Sequence, residues 1–411
     1  MGIFENIQKE LEKTSEFIQM SEEEKTYLLK HKSVQKTEID LNGKKYPAWR
    51  IIHNDVLGPG KGGIRFHPNV SEDEVMSLSF WMSIKNSLAG LPYGGAKGGI
   101  KVNPKELSKK ELENLSREYI KYFHTFLGQD KDIPAPDVYT TPQIMAWMLD
   151  EFEKIEGRHE PGMITGKPIE IGGCKIRGDA TSKGGVIILE KFLEKINKKP
   201  DELKISIQGF GNVGLNVAKM LHNKEYNIIA ISDSKGGIIS EKGIDIEAAI
   251  KYKKEFRKVL GFVGTKDITN EEILESDADI LILAALENQI TEKNVDKIKA
   301  KYILELANGP ITFEADETLT KNGVIVLPDI LSNSGGVIAS YCEWCQNKTG
   351  QIHSKEEMEK ILNTHMIDAF NNVYELYMEK KGDNPNFNIR TSAYSIAIKK
   401  ILSAAKLRGR I

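Results

Sequence analysis

The sequence predicts an α/β protein of two domains, the second carrying a Rossmann-like parallel sheet. Three observations lead there. The chain has 411 residues, too many for one ordinary hydrophobic core. From about residue 181 five short apolar runs recur: KISIQ (204–208), NIIAIS (227–232), DILILAA (279–285), YILELAN (302–308) and GVIVLP (323–328). Helical segments separate them, which is the pattern of a buried parallel sheet with crossovers. Third, Gly209, Gly211 and Gly214 follow the first run directly. We expect an N-terminal α/β domain over residues 1–180, completed by helices at about 375–411, and a second domain over 181–374.

Composition narrows the function classes. The chain is 40% hydrophobic and 28% charged, with a net charge of −2, as in a soluble globular enzyme. Lysine-rich stretches such as 251–258 are interleaved with acids, so they read as solvated helix faces and not as a nucleic-acid patch. No apolar run approaches the roughly 18 residues of a membrane span. The N-terminus MGIFENIQKELEK has no apolar h-region, so no signal peptide is expected. Three cysteines, Cys174, Cys342 and Cys345, fit a reducing, cytoplasmic compartment.

Taken in order, residues 3–19 are amphipathic, with Ile3, Ile7, Leu11 and Ile18 on one helical stripe. Residues 36–52 read as a hairpin around Asn42-Gly43, with Pro47 arguing for an edge position. Residues 58–70 are glycine-rich and loop-like. Ser71 caps a helix carrying Lys85, and Glu74 is placed to close a capping box. Gly90–Gly99 is turn-rich and holds Lys97. Ser108 and Glu111 cap a further helix that stops near Gly128. The prolines of DKDIPAPD hold that segment extended. Thr141-Pro142 starts the next helix with proline at its first position. After Leu331 the chain is helical again.

The glycine triplet has a mechanism. In a strand–turn–helix setting the first glycine permits the tight turn, the second admits a pyrophosphate and the third lets helix and strand pack closely. The helix N-terminus then faces the phosphates. Asp233 ends the next strand, 19 residues after Gly214, placed to accept hydrogen bonds from a ribose 2′-OH. That favours NAD slightly, although Ser234 and Lys235 follow at once and can hold a 2′-phosphate. The alternative is a tight βα turn beside a surface aspartate.

Gly58 to Asp137 holds a different chemistry. Lys61 lies in GPGKGGIRF, Lys85 in FWMSIKNSLAG, Lys97 in LPYGGAKGGI, and Asp137 ends DIPAPD. A lysine crowded by other cations and partly desolvated loses pKa, and can then serve as a base or form a Schiff base. Singly, such a lysine is ordinarily a solvated surface residue. Three of them with glycine-rich flanks and one stiffly held carboxylate form a candidate site for a small dianion.

The residues GPGKGGIRFHP, LPYGGAKGGI, IPAPD, QGFGNVG, ISDSKGGI, LANGPIT and NSGGVIASYCEW resemble the glutamate dehydrogenase family, in the family's order and over nearly the whole chain. The match is to the shorter, hexameric members of the Glu/Leu/Phe/Val amino acid dehydrogenase superfamily, without an inserted helical antenna. The resemblance implies reversible oxidative deamination of L-glutamate to 2-oxoglutarate and ammonium, with NAD or NADP. It implies catalytic roles for Lys97 and Asp137, and substrate contacts from Lys61 and Ser340 on the side-chain carboxylate and from Lys85 on the α-carboxylate, with Met82 lining the pocket. Cofactor contacts are implied at Thr181, Gly209, Gly211, Asn212, Val213, Gly214, Asp233 and Ser234, with Asn308 and Asn333 on the nicotinamide side. A homo-hexamer is implied as well. Two features depart from the family's pattern: Ser182-Lys183 where glycine and arginine are usual, and Cys174 where serine is common.

Two rivals remain at this level. One is a leucine- or phenylalanine-type dehydrogenase of the same superfamily, against which Lys61 argues, since an apolar side chain offers its ammonium no partner. The other is a catalytically silent cofactor-binding regulator, against which Lys97 and Asp137 argue. No metal is expected: Cys342 and Cys345 cannot fill a zinc site alone and read as buried structural thiols. Among the eight histidines only His67 lies beside the Lys61 segment.

Overall fold

A computed structural model describes residues 3–411, with side chains from Ile7 onward. The chain divides into two compact units. The first comprises the residues up to Arg177 together with Val337–Ile361 and Tyr394–Ile411; the second comprises Gly178–Gly336 and Leu362–Ala393. No helix among the described residues is long and apolar enough to cross a membrane.

The first unit is built on a five-stranded mixed sheet of order β1-β2-β4-β3-β5. The strands are β1 (Ser33–Leu41), β2 (Lys44–Asn54), β3 (Gly60–His67), β4 (Gly95–Lys101) and β5 (Asp132–Pro136). Its helices are α1 (Ile3–Ile18), α2 (Glu22–Leu29), α3 (Glu72–Leu88), α4 (Lys109–Phe123) and α5 (Pro142–Glu156). The β1–β2 hairpin turns at Asn42 and Gly43, both with positive φ (57° and 83°), the geometry of a type I′ turn. Of the α1 stripe, Ile7 and Leu11 are buried and Ile18 is half-buried; the side chain of Ile3 lies outside those described. A core of Ile39, Phe66, Ile100, Tyr119 and Phe152 fills the space between the sheet and α4 and α5.

Three expectations change here. The segments read as a loop (58–70) and as turns (90–99) contain β3 and β4. Glycine disfavours strands on propensity, but these strands run through crowded surroundings where a side chain would not fit, so packing overrides propensity. Pro47 sits in an internal strand, not an edge one. β2 pairs with β4 only from Ala48 onward, so at Pro47 its one neighbouring strand is β1, with Glu38 opposite. Finally, Ser71 Oγ accepts the Glu74 N–H at 3.2 Å, but the Glu74 carboxylate turns to Arg65 instead of closing the box.

The second unit carries a seven-stranded sheet of order β12-β11-β10-β6-β7-β8-β9. The five runs read from the sequence become β6 (Lys204–Gln208), β7 (Asn227–Asp233), β10 (Ile280–Leu283), β11 (Tyr302–Glu305) and β12 (Ile325–Leu327), all parallel. β8 (Gly236–Ile239) and β9 (Lys266–Ile268) add an antiparallel edge. Their short, half-polar sequences carry little strand signal. The helices α6 (Ala180–Lys195), α7 (Asn212–His222), α8 (Ile246–Phe256), α9 (Asn270–Leu274), α10 (Phe313–Lys321) and α11 (Asp329–Ser332) lie in this unit. α12 (Gly335–Thr349), α13 (Lys355–Lys380) and α14 (Ile389–Leu407) each contain a boundary between the units. β6 is flanked by β7 on one side and β10 on the other. Strand order reverses there, where open α/β sheets bind their ligands.

Candidate active site

Alternation along β3 places Lys61, Gly63 and Arg65 on one face, because successive side chains of a strand point to opposite sides. Lys61 is 1% exposed. Among the described residues its ammonium reaches only the carbonyls of Ile133 (3.3 Å) and Pro134 (3.4 Å) on β5, and no carboxylate pairs with it. Burial pushes its pKa well down, and the cations Arg177 and Arg50 push in the same direction. Gly62 follows; a Cβ there would run into the Ala96 carbonyl and come within 3.3 Å of Met82 Cγ. Met82 and Lys85 are half-buried on α3.

Lys97 is 5% exposed on β4 and donates to Asp137 Oδ2. Burial drives its pKa well down, with Arg65 and then Lys85 as the main cations responsible. Asp137 is held by its own turn. Its N–H donates to Thr140 Oγ1 at 2.7 Å, and the Thr140 hydroxyl lies 2.9 Å from the Ile64 carbonyl. Asp137 Oδ1 accepts from the Val138 N–H at 2.6 Å and faces Arg65 at 3.3 Å. Gly63 makes room: a Cβ there would lie 2.8 Å from Asp137 Cβ. The pair is an amine and a carboxylate that can pass one proton, with the amine poised toward its neutral form.

The remaining members come from the far end of the unit. Ser340 is buried on α12, one turn before Glu343. Glu343, fully buried, accepts from the Gly166 N–H (2.9 Å) and from Lys167 Nζ (2.7 Å). It is also a charge neighbour of Lys61. Arg50, equally buried, pairs with Asp132 (Nε–Oδ2 2.6 Å) and donates to the Gly62 carbonyl at 3.1 Å. Burial pushes the Cys342 thiol up to about 12 and the Cys174 thiol up to about 11; all three cysteines are free, Cys345 being half-buried. No metal-binding cluster occurs among the described residues. His67 stacks on Tyr139 (5.8 Å between ring centres).

Arg177, Arg65 and Glu343 were missed as site residues by the reading of the sequence. For Arg65 the signal was its place in the same GPGKGGIRF segment as Lys61; that the two share a face follows only once the segment is seen as β3. For Arg177 and Glu343 the partner is remote in sequence, and nothing local marks them.

The second unit presents the dinucleotide elements. Gly209 adopts φ 94° between β6 and α7. A Cβ at Gly214 would strike the Gly209 carbonyl, whereas one at Gly211 meets nothing within 4 Å. The turn therefore packs tightly on its inner side and leaves open space at the α7 N-terminus, where the first helical N–H groups point. Asn212 starts α7, with its amide 3.4 Å from the Gly178 carbonyl. The Val213 carbonyl accepts from Ser182 Oγ at 2.9 Å, and Thr181 lies beside it on α6. Asp233 ends β7. Its carboxylate accepts from the backbone N–H groups of Lys235 (2.9 Å) and Val259 (3.0 Å) and pairs with Lys253 at 3.2 Å. Ser234 follows in the turn to β8. Asn333 donates to Asn308 Oδ1 at 2.9 Å, while its own buried Oδ1 has no hydrogen-bond partner. An open glycine turn at a helix N-terminus and an orphaned buried amide oxygen on the same unit fit a phosphate-linked ligand with an amide, as a nicotinamide dinucleotide is.

Comparison with known proteins gives consistent findings. The family profile described as glutamate/leucine/phenylalanine/valine dehydrogenase matches residues 172–409, and the dimerisation domain of that family matches residues 31–154. The NADP-specific glutamate dehydrogenase of Saccharolobus shibatae is 45% identical over 406 residues, 98% of this chain and 95% of that protein. A catabolic NAD-specific glutamate dehydrogenase of Bacillus subtilis is 44% identical over 366 residues, 89% of this chain and 85% of that one. The hetero-hexameric glutamate dehydrogenase of Thermus thermophilus, solved in a leucine-bound form, superposes with a TM-score of 0.92 at 29% identity, over 99% of this chain and 97% of that one.

Proposed function

We infer that this chain, which belongs to the glutamate/leucine/phenylalanine/valine dehydrogenase family, is an NAD- or NADP-dependent glutamate dehydrogenase. The reaction is L-glutamate, oxidised cofactor and water going to 2-oxoglutarate, ammonium, reduced cofactor and a proton. One observation carries the substrate: Lys61 is buried with no carboxylate of its own. A buried unpaired cation is costly, and a substrate carboxylate delivered to it removes that cost. Arg177 adds a second positive charge beside it, and Ser340 is assigned to the same carboxylate. Lys85 takes the α-carboxylate, with Met82 lining the pocket. An amino acid with an apolar side chain brings no anion for Lys61, which disfavours the leucine- and phenylalanine-type reading.

When bound, the nicotinamide supplies the two-electron acceptor that takes the hydride leaving Cα. The residues of the chain do the rest. Lys61 and Lys85 fix both ends of the substrate, so Cα is presented in one orientation; orientation of this kind supplies a large part of an enzymatic rate. Lys97, its amine held toward neutrality by burial and by Arg65, accepts a proton at Nζ from the water that attacks the iminium carbon. Asp137 Oδ2, already in contact with Nζ, takes the proton on and returns it to the departing ammonia. In the second unit Thr181, Gly209, Gly211, Asn212, Val213, Gly214, Asp233 and Ser234 hold the dinucleotide, with Asn308 and Asn333 at its nicotinamide end. A carboxylate at Asp233 disfavours a 2′-phosphate, so NAD is the slightly preferred form.

The first unit is the substrate and oligomerisation domain and the second the cofactor domain. A homo-hexamer in the cytoplasm completes the proposal; the hetero-hexameric Thermus relative supports the number of subunits, and three free cysteines support the compartment. Mixing 2-oxoglutarate and ammonium with NADH, and separately with NADPH, tests the function through absorbance at 340 nm. Loss of absorbance with at least one cofactor is expected, and none with either rejects the enzyme reading. Light scattering on the purified chain is expected to give the mass of six copies.

A further inference from the structure

The charge chain behind the Lys97–Asp137 pair extends by two more residues. Arg65 directs Nε and Nη2 at Asp137 Oδ1, both at 3.3 Å, while its Nη1 pairs with the Glu74 carboxylate. The four residues alternate in sign: Lys97, Asp137, Arg65, Glu74. They stand on β4, the turn after β5, β3 and α3, so each link is made between separate elements of one unit. Both Asp137 oxygens are thereby assigned, Oδ2 to Lys97 and Oδ1 to Arg65 and the Val138 N–H.

Glu74 is the telling member. Elsewhere in the chain the same helix-start pattern closes reciprocally. At Ser21–Glu24, Ser108–Glu111, Thr269–Glu272 and Ser354–Glu357 the glutamate carboxylate accepts the N–H of the capping residue. At Ser71 only half of the box forms, because the Glu74 carboxylate goes to Arg65. The helix forgoes a capping bond that its own sequence provides, and the carboxylate braces a guanidinium instead. Gly63 supports the same arrangement by keeping the space between Lys61 and Arg65 open for Asp137.

We propose that Arg65, braced by Glu74, is a positioning residue that locks the orientation of the Asp137 carboxylate and so sets the proton transfer between Asp137 and Lys97. The proposal rests on the assignment of Lys97 and Asp137 as the proton-handling pair. The arginine fork supplies both direction and charge, and the two can be separated. The charged groups around Lys97 are Arg65 from β3, Lys85 and Glu74 from α3, Arg50 from β2 and Asp137. Arg65 presses the Lys97 amine down and Glu74 lifts it, so removing one or the other moves the titration of Lys97 in opposite directions.

The experiment measures kcat, KM for glutamate and the pH dependence of kcat for the full-length chain and three variants. Arg65→Gln is expected to lower kcat by about tenfold to a hundredfold through lost orientation, with KM changed by less than about twofold. Its rising pH limb moves up by about one unit, because the amine has lost a neighbouring cation. Glu74→Gln moves that limb down, with a smaller loss of kcat. Arg65→Lys keeps the charge without the fork, so its limb stays in place while kcat remains reduced. A wild-type limb in Arg65→Gln, or shifts of the same sign in Arg65→Gln and Glu74→Gln, overturns the proposal. Circular dichroism identifies a misfolded Arg65→Gln, in which case the other two variants decide: an unmoved limb in Glu74→Gln then overturns it. A wild-type chain without turnover defeats the catalytic assignment itself, whereas an active chain with unmoved variants defeats only the role of Arg65.

Discussion

In the first unit the buried Lys61 has the cations Arg177 and Arg50 and the carboxylates Glu343 and Asp132 as its charge neighbours; in the second, Arg390 is ringed by three buried carboxylates. Glu305, Asp316 and Asp329 lie 2.7, 3.1 and 3.4 Å from its guanidinium. The signs of the surplus are opposite, and so is the degree of completion. Around Arg390 other donors are supplied: the Asp329 N–H to Glu305 (2.8 Å), the Gly309 N–H to Asp329 (2.9 Å) and the Asn388 amide to Asp316 (2.8 Å). Around Lys61 two long contacts to carbonyls are all the ammonium has among the described residues. A closed cluster of buried charge holds elements together, here β11, α10, α11 and the start of α14. An open one has a surplus of positive charge, and the proposed substrate carboxylate would balance it.

Substitutions in either unit test this contrast. The largest effect is expected from Lys97→Ala, in the same unit as the open cluster. It removes the proton acceptor, so kcat should fall by about a thousandfold or more while nucleotide binding, followed by fluorescence, stays near the wild-type value. Turnover within tenfold of wild type would remove Lys97 from the mechanism. In the closed cluster Arg390→Met strands buried carboxylates and should cost about 3–5 kcal/mol, read by thermal or denaturant unfolding. An unchanged midpoint would mean that the network is dispensable.

Lys61→Leu should raise the KM for glutamate by about a hundredfold, the cost of losing one charge-assisted pair in a buried setting, with unfolding unaltered or improved, since a buried cation has been removed. A KM near the wild-type value would reject Lys61 as the side-chain carboxylate ligand. A further effect concerns pH. Burial pushes the Glu305 carboxyl up to about 8 from an ordinary 4.5, against the pull of Arg390. The folded state thus binds this proton more tightly than the unfolded one. Its contribution to stability is complete at low pH and is lost as pH rises from about 4.5 through about 8, with a slope of at most about 1.4 kcal/mol per pH unit. Glu305→Gln, which cannot titrate, should flatten the melting temperature between pH 6 and 8; an unaltered slope would assign the pH dependence elsewhere.

The legible parts of this protein were those whose physics is local. Five parallel strands stood out because both faces of a parallel sheet are buried and each run is apolar throughout. The β1–β2 turn stood out because Asn42-Gly43 accepts positive φ at both central positions. The nucleotide turn was legible because its glycines answer to backbone geometry within one βα unit. The strands β3 and β4 were not, because their glycines signal turns when read alone and only their neighbours explain them. Glu74 was read as half of a capping box for the same reason: Arg65, the partner that takes it, stands on another element.

From the sequence alone came the fold class, the nucleotide turn, and Lys61, Lys85, Lys97 and Asp137 as candidate site residues, through the motifs that carry them. Tertiary structure decided which of these lysines lacks a counterion among the described residues, which carboxylate faces which cation, and that Arg177 and Glu343 are charge neighbours of Lys61 and Arg65 of Lys97. Motif and pattern are written in neighbouring residues, whereas desolvation and pairing depend on what the fold brings against a side chain from more than a hundred residues away, as Glu343 is brought to Lys167.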